Sequence, residues 1–197
     1  MIIYNSTKYN HVSLLGNSYN VFSNHIKVGY NISYYCIRSQ EIMRRKEKEI
    51  TNITEIEAII RKALVCRLGL AVDNTPYIVP VFFGYENNCL YIHSGKEGRK
   101  LEMIRQNNTV CFEMEVDTEI TNRDKSACQW SSAYRSVIGY GSAFILDNSR
   151  EKKLALDVVM RHYSDRTSFE YQEKAVEEVA IIKIVVEHMS GKKSVGQ

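Results

Sequence analysis

The apolar positions change period along the chain, and the changes mark its elements. In "TEIEAIIRKA" the residues Ile56, Ile59, Ile60 and Ala63 fall on one stripe of a 3.6-residue repeat, which predicts an amphipathic helix. Thr54 stands three before Glu57, the spacing of a capping box. "ALVCRLGLAVD" then alternates or runs apolar as a strand, "DNTP" reads as a turn, and "YIVPVFFGY" as a second strand. Pro80 lies inside that second run and cannot donate to a ladder, so it predicts an edge, a bulge or a place where a ligand replaces the neighbouring strand. "CLYIHS" is a third strand and a helix follows over about residues 97–106, with Leu101 and Ile104 inward. "TVCFEMEVD" alternates as a fourth strand, and residues 118–130 read as a polar connection. "AYRSVIGYGSAFIL" is a long fifth strand whose Gly139 and Gly141 suggest a bend. "SREKKLALDVVMRHYS" is an amphipathic helix and "VAIIKIVVEHM" a sixth strand.

The order α-β-β-β-α-β-β-α-β, with short turns between strands, predicts a mainly β fold with flanking helices. Its form is a six-stranded antiparallel barrel rather than a doubly wound sheet. The first 42 residues differ in kind. Residues 1–40 contain no Asp or Glu and the whole leader shows no sustained period, which predicts a poorly ordered extension ahead of a domain spanning 43–197. Met43, followed by "RRKEKEI", is the expected functional start.

Charge changes the picture by exclusion. The net +3 comes from Lys8, Lys27 and Arg38 in the leader, leaving 23 basic and 23 acidic residues from 41 onwards. A neutral body gives no electrostatic reason to expect nucleic acid as partner. No apolar run suits a membrane span. Five scattered cysteines without a secretory signal read as free thiols of a cytoplasmic protein, and no Cys pairing suggests a metal.

The candidate chemistry begins at "HSGKEGRK". A phosphate dianion needs converging donors: a helix start offers free N–H groups, Ser94 a hydroxyl, Arg99 a planar fork and Lys100 a point charge. Basic residues in a first helical turn oppose the macrodipole, which favours an anion nearby. The plain alternative is a solvated helix start with capping glycines. His93 is a candidate for proton transfer, or a satisfied strand histidine. Trp130 and Tyr134 suit either a loop anchor or a dimer contact.

The run "YIVPVFFGYENNCLYIHSGKEGRKLEMIRQNNTVCFEMEVD", with "WSSAYRSVIGYGSA", "MRHY" and the closing "SGKKS", resembles the FMN-binding split-barrel relatives of pyridoxamine-phosphate oxidase. Within them it is most similar to the nitroimidazole-resistance (Nim-type) reductases. The resemblance implies a homodimer with flavin at the subunit interface. It places the FMN phosphate by Ser94, Arg99 and Lys100, and the ring along Val79, Pro80, Val81 and Phe82. His93 would lie beside the ring as the catalytic residue, and Trp130, Ser131 and Tyr134 would come from the partner. Phe82 departs from the smaller or polar residue of many relatives, which would narrow the pocket. The C-terminal signature of the true oxidases is missing, so vitamin B6 oxidation is not expected. The implied activity is FMN-dependent reduction of a small acceptor such as a nitroaromatic, with NAD(P)H as a transient donor. The alternatives are a non-catalytic flavin carrier or sensor, or a haem protein using His93, His162 or His188.

Overall fold

The computed structural model describes residues 43–124 and 126–196. The expectation of a poorly ordered leader over 1–42 lies outside them. Eight strands form one antiparallel sheet in the order β3-β2-β6-β7-β8-β5-β4, with the two-residue β1 (Glu49–Ile50) beside β8. The strands are β2 (Cys66–Val72), β3 (Thr75–Val81), β4 (Gly84–Glu86), β5 (Cys89–Gly95), β6 (Thr109–Thr121), β7 (Ser131–Leu146) and β8 (Val179–Val195). Four α-helices flank them: α1 (Ile53–Lys62), α2 (Arg99–Gln106), α3 (Ser149–Tyr163) and α4 (Glu173–Glu178).

The period-two pattern decides the inside. Leu68 and Leu70 of β2, Val110, Phe112 and Met114 of β6, Leu90 and Ile92 of β5, and Ile182 and Ile184 of β8 turn into one core. Helix α1 buries Ile56, Ile59 and Ile60, as its stripe predicts. Its cap differs from the expectation. Asn52, not Thr54, is the N-cap, and its side chain accepts from the Thr54 N–H at 2.8 Å. Asn is as strong a cap as Thr, and Glu57 is instead engaged with Arg61 at 2.9 Å.

Six expected strands become eight for two reasons. The short β1 adds one. The run "YIVPVFFGY" breaks in the middle, because the Phe83 N–H donates to the Tyr163 hydroxyl at 3.0 Å instead of to a ladder. A Cβ on Gly84 would sit 2.5 Å from the Val158 carbonyl oxygen, so α3 packs directly on the backbone there. The polar stretch expected as a connection over 118–130 begins as strand and is a connection only from 122: β6 runs on to Thr121 past an irregularity between Val116 and Glu119. There Asp117 adopts φ 57° and joins Lys62 and Arg135.

Candidate functional site

Strand β3 is an edge of the sheet, as Pro80 predicts. It pairs with β2 on one side only, so its other side presents backbone groups without a ladder partner. Along it, Tyr77, Val79 and Val81 turn inward, while Ile78 and Pro80 are exposed. Phe82, just beyond the strand, is exposed and meets the Tyr163 ring edge-on at 5.4 Å.

Strand β5 delivers the other half. His93 and Ser94 point to opposite faces: His93 is exposed, and Ser94 is half-buried on the face shared with Leu90 and Ile92. Gly98 then begins α2 at φ 122°, a conformation suited to glycine, with open space where a Cβ would stand. Its carbonyl accepts from Leu101 and Glu102, and no side chain caps the helix. The first turn therefore carries uncapped N–H groups and two cations.

The setting of those cations is specific. Arg99 Cζ lies 4.7 Å from the centroid of the Tyr77 ring, which brings the start of α2 against the edge strand β3. Lys100 is half-buried, and burial pushes its ammonium below the usual lysine range. Among the described residues neither cation has a carboxylate within ion-pair distance. A partly desolvated ammonium beside a guanidinium and a helix start is a place where an anion is favoured on three counts.

Sequence reasoning named Ser94, Arg99, Lys100, Val79, Pro80, Val81 and Phe82: the Arg99–Tyr77 contact brings the start of α2 to β3, which carries Val79, Pro80 and Val81 and is followed by Phe82, and Ser94 lies in β5 four residues before Gly98. It missed Tyr77. The alternation of β3 places Tyr77 inward with Val79, but nothing in the sequence ties it to Arg99. Trp130, Ser131 and Tyr134 are not on these elements. Trp130 precedes β7, and Ser131 and Tyr134 lie at its start, where Ser131 pairs with Thr121 and Tyr134 with Ser194, at the far end of the β7–β8 ladder. His93 lies instead opposite Ile181, which pairs with Leu146. From Tyr134 to Leu146 is 12 residues, roughly 40 Å of extended strand. Along this ladder His93 and Tyr134 stand at opposite ends.

The pyridoxamine 5'-phosphate oxidase family model matches residues 52–193, which take in every element from α1 to most of β8. The chain belongs to this family. It is similar to a candidate 5-nitroimidazole antibiotic resistance protein from Bacteroides thetaiotaomicron. The identity is 37% over 74% of this chain and 86% of that one, with a TM-score of 0.66. It shares its fold with the flavocytochrome Anf3 from Azotobacter vinelandii (20% identity, 79% and 73% covered, TM-score 0.66). It does so too with the FAD and haem binding protein from Mycobacterium smegmatis (18%, 76% and 74%, TM-score 0.66). No curated protein matches the chain.

The family's split-barrel frame also accounts for "MRHY". His162 Nε2 donates to the Ala63 carbonyl oxygen at 2.7 Å, and its ring packs on Phe83 at 4.4 Å. The Tyr163 hydroxyl donates to the Leu64 carbonyl oxygen at 2.9 Å. This pair fastens α3 to the α1–β2 connection at Ala63 and Leu64 and to the β3–β4 break at Phe83, so His162 is engaged in packing. His188 lies in β8 opposite Tyr140, far along the ladder from His93. Among the described residues no cluster of His, Cys, Asp or Glu could hold a metal ion, and no helix is long and apolar enough to cross a membrane.

Proposed function

We propose that this member of the pyridoxamine 5'-phosphate oxidase family is an FMN-dependent oxidoreductase of the cytoplasm. It works as a homodimer, accepts electrons from NAD(P)H and passes them to a small acceptor of the nitroaromatic class. The observation that carries this reading is Lys100, half-buried without an acidic partner beside Arg99 at an uncapped helix start. That cradle fits a flavin phosphate, with Ser94 as a further donor, and the exposed edge of β3 fits a flat ring with polar atoms on its rim. The resistance protein from Bacteroides, similar at 37% identity, supports the choice of acceptor.

FMN, when bound, supplies the electron chemistry. The chain's own residues bind, orient and exclude water. Ser94, Arg99 and Lys100 hold the phosphate, and the backbone of Val79, Pro80, Val81 and Phe82 supports the ring. His93 holds or delivers a proton at an imidazole nitrogen. Trp130, Ser131 and Tyr134 reach the same site from a second copy. Dimerisation is supported by the outer sheet face, where Ile78 of β3 and Ile138 and Tyr140 of β7 are 70%, 43% and 38% exposed.

The absorbance spectrum of the isolated protein, followed by denaturation to identify the released chromophore, tests the reading directly. A yellow protein releasing FMN is expected; a Soret band or a colourless protein that ignores added FMN would overturn it. Replacing Arg99 and Lys100 together with Ala should weaken FMN by at least about a hundredfold, since two charge-assisted contacts are lost. His93→Ala should keep the flavin but change the rate of NAD(P)H oxidation with a nitroaromatic acceptor. An unchanged rate would return His93 to a structural role, and no turnover with any acceptor would make the protein a carrier.

A further inference from the structure

We propose that Tyr77 is a positioning residue for Arg99, and that its ring sets the preference of this site for a phosphorylated flavin over the phosphate-free one. The inference rests on the proposed function and adds a residue to it. Arg99 is the first residue of α2, where the partial positive end of the helix repels a cation. No described carboxylate within ion-pair distance steadies it, and its side chain has many rotamers. Among the described residues the contact that fixes it is the Tyr77 ring at 4.7 Å.

That ring is itself fixed. Tyr77 pairs with Leu70 across β2 and packs, partly buried, against the core. An aromatic face steadies a guanidinium without supplying an anionic acceptor, so its N–H groups stay available to an anion. Those are the groups that grip a phosphate two at a time. Tyr77 therefore joins the edge strand to the helix start and holds the fork ready before the ligand arrives, which lowers the ordering cost of binding. The hydroxyl has no part in this; the ring does.

The test compares FMN and riboflavin, which differ by the phosphate alone, by fluorescence titration of the flavin-stripped full chain. Tyr77→Leu should weaken FMN about two- to fivefold, the range of an exposed cation–π contact, and leave riboflavin unchanged. Tyr77→Phe should bind both as the unaltered protein does. In an Arg99→Ala background, Tyr77→Leu should have no further effect on FMN. Equal losses for FMN and riboflavin, or a loss that survives removal of Arg99, would overturn the proposal while leaving the phosphate seat intact. An unaltered protein that binds the two flavins equally, or neither, would overturn the seat and the positioning role together.

Discussion

A single hydrogen atom decides the packing at Gly139. A Cβ there would come within 2.1 Å of the Phe112 ring, which is fully buried on the neighbouring strand. Gly139→Ala must displace that ring or bend β7, so it should cost about 1–3 kcal/mol or more, read as a lower urea midpoint with unchanged slope. The sequence suggests a bend at Gly139, and the reason is an aromatic ring lying on the backbone of the paired position. Other residues were half legible in the same way. Arg99 and Lys100 stand out as cations at a helix start, but the half-burial of Lys100 and the Tyr77 ring under Arg99 depend on long-range placement that no local pattern carries. The Cys66 thiol is another case: burial pushes its pKa up to about 12, whereas Cys128 is exposed.

Elements follow the periodicity where one face is buried and depart from it where tertiary contacts intervene. Helix α1 and the inner faces of β2, β5, β6 and β8 needed only alternation or the 3.6 repeat. The break between β3 and β4 needed α3, because Tyr163 takes the Phe83 N–H. The extension of β6 needed Asp117, whose left-handed backbone makes the irregularity and whose carboxylate joins Lys62 of α1 and Arg135 of β7. The Lys62 hydrogen bond chiefly, with help from Arg135, holds that carboxyl below the usual carboxylate range. A group depressed in this way contributes stability above its unfolded pKa of about 3.9 and loses it as pH falls through the folded value. Asp117→Asn, which tolerates the same backbone, should therefore lower the urea midpoint at pH 7, and the gap from the unaltered protein should close in acid. A gap that stayed constant down to the acid limit would place the loss in the backbone rather than in the charge.

For the molecule as a whole, the antiparallel barrel with helices at its flanks was legible, because strand order by short turns leaves few alternatives. The length of β7 was legible to within two residues, whereas that of β8 was not, since its outer end beyond Met189 is polar and owes its pairing to β7. That length matters for function: the proposed site draws on residues from both ends of the ladder. Ile138→Lys, in the middle of the outer apolar face, should convert the proposed dimer to monomers in sedimentation velocity and release its flavin. Monomers that still retained FMN would show that one chain holds the whole site.

The chain has only two prolines, Pro76 and Pro80, and both stand in the seven residues of β3. An edge strand with free backbone groups is a template on which further copies can stack into open-ended ribbons, and a proline every few residues is a common natural defence against that. The same two rings keep the edge too irregular to recruit another strand, yet do not cover it. A surface left open to a small molecule is thereby a poor seed for fibre growth.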